Sequence, residues 1–141
     1  MAPEVLNVVG ETIRVLADAA ASGGRCSIFE TTTPVGSGPP LHRHGRDDEY
    51  FYILEGTVKF SVNGKEATFG PGAFVHAPRG SIHTFRNVGA APARMLVTCS
   101  PAGLEGPFRQ AHRLGSAATP EALAAAFATF DVTFLGPPLG A

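Results

Sequence analysis

Short apolar runs, broken by turn signals every six to twelve residues, constrain this 141-residue chain more than any other feature. ETIRVLA (11–17), RCSIFETTT (25–33), EYFYILEG (49–56), TVKFSVNG (57–64), KEATF (65–69), AFVHA (73–77), IHTFRNV (82–88) and RMLVTCS (94–100) are each of strand length and carry β-branched or aromatic residues. Seventeen Gly and twelve Pro, a fifth of the chain, are spread between such runs. Asn63-Gly64 is the strongest hairpin signal, because both residues accept the positive φ of a tight primed turn. PVGSGPP is too rich in Gly and Pro for a helix or strand and reads as a loop leading to His42. ADAAASGG reads as a loop or a single helical turn. Eight or nine strands with no helix between them exclude βαβ units, and an antiparallel sandwich or jelly-roll barrel is the simplest arrangement.

The end of the chain changes character. Thr119-Pro120-Glu121 is a helix start: a capping hydroxyl, a proline at the first helical position and an acid near the positive end. EALAAAFATF then predicts about three helical turns. DVTFLGPPLGA is an apolar tail expected to pack back on the barrel. Residues 1–115 are assigned to an all-β barrel, and 116–141 to a short C-terminal helix and tail on the same domain.

Charge narrows the function. Only 16% of residues are charged and the net charge is −1, so there is no clustered Lys/Arg footprint for nucleic acid. No run approaches the ~18–20 apolar residues of a membrane span, and the N-terminus lacks the basic start of a signal peptide. A cytoplasmic protein that binds no membrane is expected, with Cys26 and Cys99 as two reduced, buried thiols.

One stretch carries chemistry. In PPLHRHGRDDEYFYILEG, His42 and His44 are two apart on a strand and share a face, with Arg43 opposite. Glu49 opens the next strand and can return beside them, and His83 lies at the start of a later one. Three neutral imidazoles and a carboxylate can hold a six-coordinate Fe, Mn, Ni, Co or Cu ion and leave one or two positions open. Zn is also open as the identity of this divalent ion, and Asp48 stands as an alternative to Glu49. Arg43, Gly45, Arg46, Asp47 and Asp48 read as rim and turn, and His76 and His112 as histidines outside the site.

These residues fall into two motifs that resemble those of the cupin superfamily. Gly36, His42, His44, Glu49 and Gly56 follow the first: Gly, five residues, His-x-His, four residues, Glu, six residues, Gly. Gly72, Pro78, Gly80, His83 and Asn87 follow the second: Gly, five residues, Pro-x-Gly, two residues, His, three residues, Asn. The segment between them, Thr57 to Pro71, has about the minimum length, as in small single-domain bacterial cupins. The resemblance implies a jelly-roll β-barrel (a double-stranded β-helix) holding one metal ion. Gly56, Gly72 and Gly80 then serve turns, Pro78 stiffens the turn before His83, and Asn87 bonds backbone in the turn that follows.

The runs GPPLHRHGRDDEYFYILEG, VTCSPAGLEGPFRQ and the late GPP look like the group often compared with quercetin dioxygenases. That likeness implies His42, His44 and His83 as ligands and Glu49 as both ligand and catalytic base. The expected activity is dioxygenation of a small, apolar, hydroxylated or enolisable substrate of the flavonol kind. Non-redox lyase, isomerase or cyclase action and non-catalytic binding of a small molecule are the alternatives. Strand alternation predicts a pocket lined by Phe51, Ile53, Val58, Phe60 and Phe85. A homodimer is expected, with ETIRVLA pairing across a two-fold axis, and the C-terminal helix either caps the barrel mouth or stiffens the dimer.

Overall fold

The computed structural model describes residues 4–140. Eleven strands run β1 Glu4–Val8, β2 Glu11–Ala17, β3 Ser27–Thr33, β4 Pro40–His44, β5 Asp48–Glu55, β6 Val58–Val62, β7 Lys65–Phe69, β8 Phe74–Ala77, β9 Ile82–Asn87, β10 Ala93–Ser100 and β11 Val132–Pro138. Three helices join them: α1 Ala19–Ser22, α2 Glu105–Leu114 and α3 Pro120–Ala128. The strands form two sheets, β1-β2-β3-β10-β5-β8 and β11-β4-β9-β6-β7, and every pairing between them is antiparallel. This is the expected jelly-roll barrel with a short C-terminal helix. No helix among the described residues is long and apolar enough to cross a membrane.

Alternation builds the interior. β3 and β10 bury every second residue, so Phe29, Met95 and Val97 face inward while their neighbours do not. Phe51 on one sheet meets Phe60 on the other edge-on, with ring centroids 5.0 Å apart. Asn63 and Gly64 take φ of 51° and 79° in the β6–β7 turn, and Gly56, Gly72 and Gly80 all have positive φ. Asn87 donates to the carbonyls of Thr33 and Ala91 and accepts from Gly89 N–H, as expected. Thr119 caps α3 by accepting from Ala122 N–H, and Asp18 caps the single turn of α1 in the same way.

Three features depart from the sequence expectations. A helix, α2, follows β10 inside the stretch assigned to strands. Leu104, Phe108 and Ala111 give it an inward stripe, which Gly103, Gly106 and Pro107 disguise as loop punctuation. Pro107 is tolerated because it sits in the first turn, where its missing N–H has no helical partner. Second, β2 is bonded on both sides, to β1 and β3, so ETIRVLA cannot pair across a two-fold axis. Val9-Gly10, both at positive φ, fold the preceding segment back onto it as β1. Third, the apolar tail does pack back, and it does so as a sheet strand: β11 pairs with β4, setting Val132 opposite His44 and Phe134 opposite His42.

The loop before β4 is pinned rather than free. Gly36 N–H donates to Asn87 O at 3.0 Å, and Asn87 N–H donates to Ser37 O at 2.9 Å. Gly38 lies so close to β9 that a Cβ there would stand 1.8 Å from Phe85 O. Gly38→Ala must therefore push the loop off β9. The expected cost is about 1–3 kcal/mol, read as a lower urea midpoint with unchanged slope; a midpoint within error of wild type would show that the loop yields freely.

Candidate metal centre

Four side chains from both sheets meet at one point. β4 turns His42 and His44 inward and leaves Arg43 exposed between them. β9 sets His83 directly opposite His42 in register. Glu49, near the start of β5, arrives from the six-stranded sheet. All four are buried, His83 to 1% exposure. One ligand atom from each lies within 4.8 Å of those of the others. Glu49 Oε1 stands 3.0 Å from His83 Nε2 and 3.3 Å from His44 Nε2.

The rings are oriented by their other nitrogens. His42 Nδ1 donates to Pro40 O (2.8 Å), His44 Nδ1 to Asp47 Oδ1 (2.9 Å) and His83 Nδ1 to Ser81 O (3.3 Å). With Nδ1 bearing the proton, each Nε2 keeps its lone pair for the common centre. Three imidazole nitrogens and one carboxylate oxygen suit a divalent transition metal, and would suit calcium or magnesium poorly. The donor set therefore fits the ion expected from sequence.

Electrostatics follow from confinement. Burial alone would raise Glu49, but the charges of His44, His83 and His42 and the His83 hydrogen bond outweigh it and hold the carboxyl at about 2. Burial, with repulsion from His83 and His44, pushes His42 down to about 3. His44 goes the other way: burial opposes its charge, yet Glu49 and Asp47 raise its proton affinity. The Cys99 thiol, 3.8 Å from Glu49 Oε2, is driven well up by burial and by the neighbouring carboxylates, so it stays an S–H. Cys26 is only partly buried.

Below its raised pKa His44 takes a second proton on Nε2, which an incoming ion would have to displace. Metal affinity is thus expected to fall as the pH is lowered through the range in which His44 takes up that proton, a range Glu49 and Asp47 move upward, by about tenfold per pH unit for each proton displaced. Chelator competition across that range measures it, and a flat profile would exclude proton competition.

Asp47 corrects the sequence reading. The sequence places it at the rim and turn, yet it is fully buried and holds His44. Its other oxygen, Oδ2, has no hydrogen-bond partner among the described residues. Two adjacent aspartates in a turn carry no sign of which one points inward. Asp48 is the outward one: it accepts from Arg79 N–H and lies beside His76 and Arg79, so it takes no part in the cluster. Asp47→Asn should weaken metal binding by 10- to 100-fold, because the amide cannot match the carboxylate in polarising His44. Affinity unchanged in a calorimetric titration would show that His44 needs no such support. His76 stacks on Tyr50, and His112 accepts from Asn7 N–H, so neither reaches the centre.

The cluster opens on a cavity of about 440 Å³, within the usual range for small-molecule sites. His42, His44 and Glu49 form part of its wall, as do Phe51 and Phe85. Ile53, Val58 and Phe60 do not line it, and these three pocket assignments are corrected. They face inward as alternation requires but at the filled end of the barrel, where the Phe60 ring packs on Phe51, Phe69 and Phe85. Period-two alternation fixes which face a residue takes and says nothing of its depth along the barrel. In their place, α2, α3 and β11 supply Phe108, Phe127 and Phe134.

Known proteins share this architecture. The chain is 30% identical over 73 residues to quercetin 2,3-dioxygenase of Bacillus subtilis, covering 52% of this chain and 22% of that protein. It is 35% identical over 60 residues to the tetracenomycin polyketide synthase protein TcmJ of Streptomyces glaucescens, covering 43% and 40% respectively. The chain thus spans less than half of either curated relative. A solved predicted oxalate decarboxylase from Thermotoga maritima superposes with a TM-score of 0.62 at 25% identity, covering 72% of this chain and 93% of that one. The cupin domain profile matches residues 29–99, just over half of the chain and a span containing all four clustered residues. Fold, motif spacing and profile agree: this chain belongs to the cupin family.

Proposed function

We propose that the protein is a mononuclear metal-dependent enzyme, a dioxygenase acting on a small, largely apolar, hydroxylated or enolisable substrate of the flavonol kind. One observation carries the reading: a carboxylate gathered with three histidine rings, all four buried, at the wall of an apolar cavity. His42, His44 and His83 would hold the ion through Nε2, with Glu49 as the fourth ligand. A bound divalent ion would supply a cationic centre that polarises the substrate's oxygen and relays electrons between substrate and O2.

Glu49 takes the proton of the substrate hydroxyl, and the Cys99 thiol steadies Oε2 while Oε1 faces the histidines. The aromatic walls exclude water and hold the substrate flat against this carboxylate. Overall, O2 is reduced by the substrate itself: a carbon–carbon bond breaks, both oxygen atoms enter the products, and no external reductant is needed. The likeness to quercetin 2,3-dioxygenase supports this choice of reaction.

The test is turnover of flavonols with and without air. One O2 consumed per substrate is the expected result, and product formed anaerobically would overturn it. A second reading, metal-dependent cyclisation without redox chemistry, draws support from the 35% identity with the polyketide synthase protein TcmJ. Full activity of the zinc-loaded protein would favour it. A homodimer also belongs to this proposal, supported by Val5 and Val9, exposed on and beside the edge strand β1; a monomeric mass by light scattering would remove it.

A further inference from the structure

The barrel register sorts the cavity wall into levels. At the first, Ser27, Cys99 and Glu49 are paired across β3, β10 and β5, and this is the level of the metal centre. Two residues along, Phe29, Val97 and Phe51 are paired, and all three line the cavity as an apolar waist. Beyond the waist the wall turns polar again. Thr31 is paired with Ile13 of β2, and Thr33 Oγ1 donates to Glu11 Oε1 at 2.9 Å.

Glu11, Thr31 and Thr33 all line the cavity, and none of them takes part in the metal centre. The Thr31 hydroxyl is the telling group: the residue is 5% exposed, and its oxygen has no hydrogen-bond partner among the described residues. A buried hydroxyl left unpaired is destabilising, and a ligand oxygen or N–H at this place would relieve it. Beside it Glu11 is a poor anion: burial, helped by the negative Glu49, raises it to about 7 against the pull of the Thr33 hydrogen bond. A carboxyl that takes up its proton near neutral pH can donate as well as accept. Among the described residues no lysine or arginine lines the cavity, so nothing beside Thr31 and Glu11 offers a permanent positive charge to an anionic group.

We propose that Glu11, Thr31 and Thr33 form a second polar station, beyond the aromatic waist from the metal centre, that hydrogen-bonds a hydroxyl or carbonyl group on the far end of a neutral substrate. The substrate class is thereby narrowed to flat, apolar molecules oxygenated at two separated positions, and carboxylates and phosphates are disfavoured at this end. The inference rests on the proposed function only in supposing that one molecule spans both ends.

The test titrates the zinc-loaded full chain with naphthalene, 2-naphthol and naphthalene-2,6-diol by calorimetry. Wild type should tighten by about tenfold at each added hydroxyl. Thr31→Val, nearly isosteric, and Glu11→Leu should each remove one of the two steps, while Glu11→Gln retains most of it. His83→Ala should remove the other step. Diol preference unchanged in Thr31→Val and Glu11→Leu overturns the station, as does failure of all three probes to bind the wild type. Loss of the station step with both steps intact in His83→Ala would uphold the station and count against the metal-end reading alone.

Discussion

Replacing Glu49 by glutamine is expected to slow turnover by about a hundred- to ten-thousandfold, the usual contribution of a positioned proton acceptor. The substitution keeps volume and one oxygen, so the amide still fits among His44, His83 and Cys99. What it loses is the charge. In the native site three histidines hold the carboxyl at about 2, so it is unprotonated at any working pH and keeps a basic oxygen lone pair that an amide lacks. Metal content must be read alongside the rate, because Glu49 is also assigned a ligand role. A slow variant with one metal per chain isolates the proton step. Turnover within tenfold of wild type, with metal retained, would strip Glu49 of the base role.

His83→Ala should lose metal outright under conditions where the wild type keeps it, with affinity down by more than a hundredfold. Changes one shell further out already cost 10- to 100-fold, and His83 is a ligand in the proposed site. It is the only member of the cluster on β9, and its Nε2 makes the shortest contact to Glu49 Oε1. Removing the ring leaves a void at a site with 1% exposure and takes one of two close partners from a buried carboxylate. The metal-free variant should therefore also melt below the metal-free wild type. Elemental analysis after dialysis against a chelator, with a thermal scan of the same samples, reads both effects. A variant that keeps its ion with unchanged affinity would show that three groups suffice.

The centre was legible in the sequence because its parts obey local rules. His42 and His44 share a face by strand alternation, Asn63-Gly64 sets the hairpin, and Gly80 places His83 at a strand start. Features that depend on distant chain segments were hidden. Asp47 and Asp48 are indistinguishable until the turn is built, and only then does one point in. Ile53, Val58 and Phe60 have the right face at the wrong depth. α2 carries its inward stripe under glycine and proline that read as loop. β2 looked like an edge because Val9 and Gly10, which fold β1 over it, advertise only a turn.

The register of β4 bears on the order in which the site is built. The strand that carries two of the four clustered residues has two register pairs with β9 and five with β11, the strand contributed by residues 132–138. Its main backbone partner is thus a segment synthesised long after it. The six-stranded sheet, which needs nothing beyond β10, can zip first, with Glu49 already in place. His42 and His44 then wait on an incompletely paired strand until β11 docks beside them. On that order the four clustered residues come together only when β11 closes the last corner of the barrel, at the end of folding rather than its start.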